Sequence, residues 1–339
     1  MMLFNVTVAL IISYFHLDLV NIVNMRLKRI APKLGIILLL VLFSLFYHIQ
    51  DIRYCDLVEQ RKLVLNAEGK EMPYYTDSVN VKTFGQLSKE CMYQGDKIHC
   101  PDIRHFGESM NRQSMLGIAR MHAILDLICK RHNINYWIFA GTLIGAHRNG
   151  LLVPWDSDSD VGMMIEDYKK FLKYIRLELP EDLYFQDGSD NPYYNRQADG
   201  KIRDKNSCYG YCLKFNCNWE DGLQIDIFAF RKDGINPLKI SNYFYKTQFD
   251  IEDIYPTKSI LLEGINVLAP KKVENILTIM FGPNFHKPPE QNKGQCSKAG
   301  SMAIPWYSCD HIKSLPKDEQ TKILRMGMDH RNPWFWYHG

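Results

Sequence analysis

Three aspartates separated by single residues, Asp156, Asp158 and Asp160, lie in the segment PWDSDSDVGM of this 339-residue sequence. Successive side chains of a strand point to opposite faces, so Asp158 and Asp160 share a face if the segment begins or borders a strand. Two carboxylates on one face form a hard oxygen site that suits Mg2+ or Mn2+. A cation held there cancels charge on a phosphate and lowers the pKa of a bound hydroxyl. The spacing therefore predicts a metal site at Asp158 and Asp160, with Asp156 bracing the turn before them.

Two further features support this interpretation. Gly141 and Thr142 follow a predicted strand and open a helix, which offers backbone N–H groups and a hydroxyl to a phosphate. Asp226 interrupts the otherwise apolar strand LQIDIFAF, where an unpaired carboxylate is costly to bury. A shared metal relieves that cost, and a salt bridge or an exposed strand end also relieves it.

Basic residues occupy alternate positions in the segment KIRDKN, at Lys201, Arg203 and Lys205. On a strand they share one face, where Lys201 and Arg203 are predicted to hold phosphate. An ordinary solvated face carries the same pattern, so this alternative stays open.

Hydrophobic periodicity indicates the elements that must position these residues. Helices are predicted over residues 108–132, 142–150 and 166–179 and up to Gly282, and strands over 136–141 and 161–165 and in LYFQ, YGYCLKF and LQIDIFAF. Helices that alternate with strands predict an α/β or α+β layered core. Beyond Gly282 the chain is predicted to be loop-like.

The stretch GTLIGAHRNGLLVPWDSDSDVGM resembles the signature of the LicD family, which includes the fukutin and fukutin-related proteins. The family pattern is G-T-L-L-G-x-x-R, a short spacer, and then P-W-D-x-D-x-D. The similarity continues through DIFAF and into YPTKSILLEGINVLAPKKVENILTIMFGPNF, so it covers about residues 136–285. The first block is specific, and the later blocks are supportive. Ser159 departs from the pattern, because a hydrophobic residue is common at that position in the family.

The resemblance implies a nucleotidyltransferase-like α+β fold, with a mixed sheet flanked by helices. It also implies transfer of a phospho-alcohol, such as phosphocholine or ribitol phosphate, from a CDP-linked donor to a glycan or glycoprotein. By position it assigns Asp158, Asp160 and Asp226 to catalysis and metal binding, and Gly141, Thr142 and Arg148 to the substrate. In this mechanism Asp226 also accepts the proton of the attacking hydroxyl.

Two other functions remain open from the sequence. A glycosyltransferase that uses a nucleotide sugar also carries a D-x-D motif, but such enzymes usually place it after a longer nucleotide-binding region. Here about fifteen residues separate Gly141-Thr142 from the aspartates. An inactive family member acting as an adaptor would be expected to lose acidic residues, whereas all three candidates persist.

The N-terminal region predicts the compartment. Leu34–Ile49 contains no Asp, Glu, Lys or Arg, and counting from Ile30 gives enough length to span a bilayer. Basic residues precede this segment, so the positive-inside rule places the N-terminus in the cytosol and the remainder in the lumen. A single-pass type II protein of the Golgi or ER membrane is expected, with either Met1 or Met25 as its start. The near balance of 41 basic and 38 acidic residues does not suggest a nucleic-acid partner.

These observations divide the chain into five parts: a cytosolic segment (1–29), a signal anchor (30–50), a luminal stem (51–105), a catalytic domain (106–300) and a C-terminal tail (301–339). Nine cysteines suit an oxidising lumen. The candidates for bridges are Cys91 with Cys100, the cluster Cys208, Cys212 and Cys217, and Cys296 with Cys309. Spacing does not fix the pairing, and a zinc site in the cluster is an alternative. Cys129 is predicted to be a free thiol in the core.

Overall fold

The computed structural model describes residues 82–88, 90–107, 110–153, 156, 158–189, 198–213, 217, 221–245, 247–286 and 303–326, together with Leu42 and residues 64–65 and 71–72. The chain divides into two compact units, residues 1–59 and 60–339, and the elements below belong to the second. The predicted anchor over residues 30–50 lies outside the described residues except for Leu42. Within the described ranges, no helix is both long and apolar enough to cross a membrane.

The second unit contains both helices and strands, which confirms the predicted α+β class. The helices are α1 (Phe84–Leu87), α2 (Met110–Arg131), α3 (Ala140–Asn149), α4 (Ile165–Phe171), α5 (Ile175–Glu178), α6 (Ile251–Ile254), α7 (Val273–Phe281), α8 (Cys309–Ser314) and α9 (Lys317–Met326). The strands are β1 (Val64–Leu65), β2 (Glu71–Met72), β3 (Met92–Gln94), β4 (Lys97–His99), β5 (Trp137–Ile138), β6 (Asp158–Met164), β7 (Leu183–Asp187), β8 (Gly200–Asp204), β9 (Cys208–Tyr209), β10 (Gln224–Lys232), β11 (Lys239–Ser241), β12 (Phe249–Asp250), β13 (Lys258–Leu262), β14 (Ile265–Ala269) and β15 (Ala303–Ile304).

A seven-stranded mixed sheet forms the centre of the fold, and β10 is its longest strand. The strand order is β12-β11-β10-β6-β5, and β7 joins the sheet through β8, which also pairs with β10. β10 runs parallel to β6 on one side. On its other side it pairs antiparallel with β8 at its beginning and with β11 at its end. This arrangement places residues from β6, β10 and β8 side by side.

Several helix boundaries follow from local sequence. α2 covers most of the predicted 108–132 and ends in Lys130 and Arg131, whose charges suit the negative end of the helix dipole. α3 ends before Gly150, which adopts the left-handed conformation (φ 68°) that glycine tolerates. The predicted helix over 166–179 is instead two helices, α4 and α5, because the chain turns at residues 172–174.

The fold extends beyond the predicted bounds 106–300 of the catalytic domain. Phe84 and Ile98, from the predicted stem, are buried in the core. Ile304, from the predicted tail, is buried as well, because β15 pairs with β9. The prediction of a loop-like region after Gly282 is wrong for residues 309–326, which contain α8 and α9.

Three disulfides connect these elements: Cys91–Cys100, Cys208–Cys309 and Cys212–Cys217. The first confirms a predicted pair. The suggested pairing of Cys296 with Cys309 is wrong, because Cys309 bonds to Cys208. The zinc alternative is also contradicted, since every cysteine of the cluster is oxidised in a disulfide. Among the described cysteines, Cys129 has a free thiol and is buried, as predicted.

Removing the Cys208–Cys309 disulfide is expected to destabilise the protein more than removing Cys212–Cys217. The two bridges join residues that are 101 and 5 positions apart, and closing a longer loop restricts the unfolded chain more. Replacing Cys208 and Cys309 by serine should lower the free energy of unfolding by about 2–5 kcal/mol, measured by urea denaturation. Replacing Cys212 and Cys217 by serine should lower the free energy of unfolding by a smaller amount. Equal losses would contradict the prediction.

Candidate functional site

A first row of polar side chains crosses one face of the sheet. It consists of Asp160 on β6, Asp226 on β10, Lys201 on β8 and Gln186 on β7. Paired residues of adjacent strands point to the same face, so these side chains are neighbours. Lys201 Nζ donates to Asp226 Oδ1 at 2.6 Å, and both side chains are buried. The cost of burying Asp226 is therefore relieved by a salt bridge, one of the alternatives left open by the sequence.

A second row runs beside the first, nearer the beginning of β6. It consists of Asp158, Gln224, Arg203 and Tyr184. The buried Arg203 donates to Gln186 Oε1 at 2.8 Å, forms an ion pair with Asp221, and lies 5.5 Å from the ring centroid of Tyr184. We call the two rows together the polar face. The structure thus brings together five of the residues that the sequence singles out: Asp158, Asp160, Asp226, Lys201 and Arg203.

The beginning of α3 meets the polar face. The backbone N–H of Gly141 donates to the Asp160 carboxylate, which lies at the positive end of the helix dipole. Gly141 also lies against Asp156, and a Cβ atom added to it would be 2.3 Å from Asp156 Oδ2. A side chain at this position would therefore displace the Asp156 carboxylate. The close approach also places Asp156, predicted to brace the turn, directly beside the other carboxylates.

Thr142 is directed to the strand beneath the polar face. Its Oγ1 accepts the Asp160 N–H at 2.8 Å and lies 2.6 Å from Ser159 Oγ. Ser159 Oγ in turn lies 2.5 Å from His122 Nε2 on α2. All three side chains are buried. Ser159 therefore occupies a position that is commonly hydrophobic in the family by pairing with a buried histidine, and Thr142 supports the backbone of Asp160.

Because of His122, the free energy of unfolding should depend on pH in the acidic range. Burial lowers its pKa to about 3. An unfolded histidine has a pKa of about 6.5, so below that pH the unfolded chain binds the additional proton. Stability should therefore fall as pH drops from about 6.5 towards 3, by at most about 1.4 kcal/mol per pH unit from this group. The test is urea unfolding at several pH values. As the pH falls below about 6.5, the free energy of unfolding should decrease less steeply for His122→Gln than for the wild type.

The exposed His105 provides the matched control for this prediction. His105→Gln should retain the slope of the wild type, because the substitution changes an exposed side chain and no buried group. Identical slopes for His122→Gln and the wild type would contradict the assignment to His122.

Like charges accumulate on the polar face. Burial raises the pKa of Asp160 well above its ordinary value, and repulsion from Asp158 and Asp226 raises it further, against the opposing effect of Lys201. Burial and the negative charges of Asp158 and Asp160 likewise raise the pKa of Asp156. The four aspartates thus form a strongly negative cluster in which Lys201 is paired with one member.

The chemistry of the cluster fits a divalent cation. Among the described residues, no three histidine, cysteine, aspartate or glutamate side chains form a ready-made metal site. The carboxylates nevertheless supply the hard oxygen donors and the negative charge that Mg2+ and Mn2+ prefer. Asp158 and Asp160 are the residues that would hold such an ion, and Asp226 is adjacent to Asp160.

The other two basic candidates occupy the end of α3 and the turn after β8. Arg148 lies in the last turn of α3, about 10 Å along the helix axis from Gly141. Lys205 lies beyond the end of β8, is exposed, and donates to the backbone oxygen of Glu181 at 2.7 Å. The structure also adds residues that the sequence did not indicate, namely His122 beneath the polar face and Tyr245 beside it.

Several known proteins are similar to part of this chain. Residues 133–272 match the family model described as LicD/FKTN/FKRP, nucleotidyltransferase domain. The Uncharacterized protein RT0683 of Rickettsia typhi is 30% identical over 141 residues, which cover 41% of this chain and 37% of that protein. Lipopolysaccharide cholinephosphotransferase LicD of Haemophilus influenzae is 36% identical over 87 residues, or 26% of this chain and 29% of that enzyme.

A mammalian relative matches as well. Ribitol 5-phosphate transferase FKRP of Mus musculus is 47% identical over 164 residues, which cover 46% of this chain and 29% of that enzyme. The matches therefore span between 29% and 37% of the lengths of these three relatives. The two relatives with named activities are phosphotransferases. Residues 133–272 of this chain are thus similar to the nucleotidyltransferase domain of the LicD/FKTN/FKRP family.

Proposed function

We propose that this protein transfers a phospho-alcohol, of the phosphocholine or ribitol phosphate type, from a CDP-linked donor to a glycan or glycoprotein. The observation that carries the proposal is the polar face, where aspartates of two parallel strands meet the N-terminus of α3. The names of the relatives, a cholinephosphotransferase and a ribitol 5-phosphate transferase, support this substrate class. The predicted anchor supports a location in the Golgi or ER membrane, with the catalytic domain in the lumen.

The aspartates are proposed to bind the donor through Mg2+ or Mn2+. Asp158 and Asp160 would hold the ion with Asp226, and when bound it would neutralise charge on the donor diphosphate. Gly141 positions the Asp160 carboxylate through its N–H group. Thr142 holds the Asp160 backbone in place. These contacts fix the carboxylates before the donor arrives, so little reorganisation is needed during the reaction.

In the transfer step, an acceptor hydroxyl oxygen forms a bond to the phosphorus that carries the alcohol. The bond from this phosphorus to the bridging diphosphate oxygen breaks, and CMP leaves with the bonding electrons. We assign the proton of the attacking hydroxyl to Asp226, which lies between Asp160 and Lys201 in the first row. Lys201 and Arg203 contribute positive charge beneath the phosphates, where a low dielectric strengthens its effect.

A panel of donors tests this function. Purified protein is incubated with CDP-choline, CDP-ribitol or a UDP-sugar, a glycan acceptor, and either MnCl2 or EDTA, and the products are identified by mass spectrometry. We expect the acceptor to gain an alcohol phosphate from a CDP-linked donor in the presence of the metal. Transfer from UDP-sugars alone would indicate a glycosyltransferase. Failure of calorimetry to detect binding of either Mg2+ or Mn2+ would favour the inactive adaptor.

A further inference from the structure

A short aromatic segment, residues 242–245, follows β11 and is held in a fixed turn. Asn242 Oδ1 accepts the backbone N–H groups of Phe244 and Tyr245 at 2.7 and 3.1 Å. Asn242 Nδ2 donates to Asp199 Oδ2 at 3.3 Å, and Asn242 is buried. The segment is therefore tied to the residues that precede β8, and Tyr245 at its end has a defined position.

The ring of Tyr245 packs next to the polar face. Its centroid lies 5.2 Å from that of Phe139 and 5.2 Å from that of Phe228, in edge-to-face contacts. Phe228 lies two residues after Asp226 on β10, so both side chains point to the same face of the sheet. Phe139 immediately precedes α3, whose first turn contacts Asp160. Two independent contacts thus place the tyrosine beside the aspartates.

The electrostatic environment of the phenol agrees with this position. Burial raises the pKa of Tyr245, and the negative charges of Asp160, Asp158, Asp226 and Asp156 raise it further. Tyr245 as a whole residue is only partly buried. A phenol in these surroundings retains its proton at neutral pH and acts as a hydrogen-bond donor.

We propose that the Tyr245 hydroxyl is a further catalytic group that donates a hydrogen bond to a phosphoryl oxygen of the donor. This assignment rests on the proposed function. Negative charge on the phosphoryl oxygens must be stabilised during transfer, and a donor fixed in advance does so most effectively. Tyr245 keeps its proton throughout, so the bonds formed and broken are those of the transfer step described above.

Tyr245→Phe tests the assignment, because it removes one oxygen atom and keeps the ring between Phe139 and Phe228. We expect kcat for transfer from CDP-choline or CDP-ribitol to fall about a hundredfold, as when one oxyanion donor is lost. The melting temperature and the affinity for Mn2+, measured by calorimetry, should stay as in the wild type. Tyr243→Phe is the matched control, because Tyr243 lies in the same segment but is 79% exposed, and it should retain the kcat of the wild type.

The other outcomes are distinct from one another. An active wild type with an equally active Tyr245→Phe variant would overturn the role of Tyr245 and leave the proposed function intact. Weaker Mn2+ binding in Tyr245→Phe would instead show that the hydroxyl positions an aspartate, which overturns the phosphoryl contact. A wild type that transfers from none of the CDP-linked donors would overturn the proposed function, and the role of Tyr245 with it.

Discussion

Asp160→Asn is expected to reduce phospho-alcohol transfer at least about a hundredfold while leaving the melting temperature unchanged or higher. The loss of activity follows from the central position of Asp160, which lies beside Asp226, receives the N–H of Gly141, and is a proposed metal ligand. Asparagine keeps the shape of the side chain but removes the negative charge that a divalent cation requires. Asp158→Asn should lose activity for the same reason.

Stability should respond in the opposite direction to activity. Burial and the neighbouring carboxylates make the charged form of Asp160 unfavourable in the folded protein, as its raised pKa shows. A neutral amide removes this repulsion, and its oxygen can still accept the N–H of Gly141. The polar face is therefore expected to sacrifice stability for binding, as active sites commonly do.

Activity assays with CDP-linked donors and thermal denaturation without added metal test both parts of this prediction. Asp96→Asn is the matched control, because the Asp96 side chain is 95% exposed and lies in the β3–β4 turn. Asp96→Asn should change neither the transfer activity nor the melting temperature appreciably. Full activity in Asp160→Asn, or a marked fall in its melting temperature, would contradict the prediction.

Lys201→Met is expected to lower the free energy of unfolding by about 3–5 kcal/mol and to abolish transfer. Lys201 is fully buried, and its ammonium group forms a 2.6 Å ion pair with Asp226. Methionine fills a similar volume but leaves the carboxylate of Asp226 buried without this partner. Asp160 also loses a nearby positive charge, which increases the repulsion among the aspartates.

Urea denaturation of three variants isolates the ion pair. Lys205→Met, at an exposed position shortly after β8, should lower the free energy of unfolding only slightly. The double variant Lys201→Met/Asp226→Asn should recover part of the stability lost in Lys201→Met, because the buried charge has been removed. It should remain inactive. A Lys201→Met variant as stable as the wild type would show that the ion pair is not needed for folding.

The sequence predicted the parts of the site that depend on local geometry. Strand alternation correctly places Asp158 and Asp160 on one face. The burial of Ser159 between them was not predicted. The left-handed conformation of Gly150 ends α3 where the Asn149-Gly150 pair indicated. The class of fold also follows from the order of the helices and strands. Each of these features is decided by residues close together in the chain.

Other parts depend on contacts between distant residues, which one sequence does not determine. The pairing of Lys201 with Asp226 requires the register of β8 against β10. The contact between His122 and Ser159 requires α2 to pack beneath β6. A polar residue at a buried strand position does signal that a partner must exist, but it does not identify that partner. The Cys208–Cys309 bridge likewise joins residues 101 positions apart.

The place of β10 between β6 and β8 has a consequence for biosynthesis. The acidic pair on β6 and the basic pair on β8 are both translated before β10, yet β10 separates them in the sheet. A nascent chain that ends before residue 224 therefore has neither Asp226 nor the strand that aligns the two pairs. The whole of β10 must be synthesised and must leave the ribosome before the polar face can assemble. Partly synthesised chains are therefore expected to be inactive.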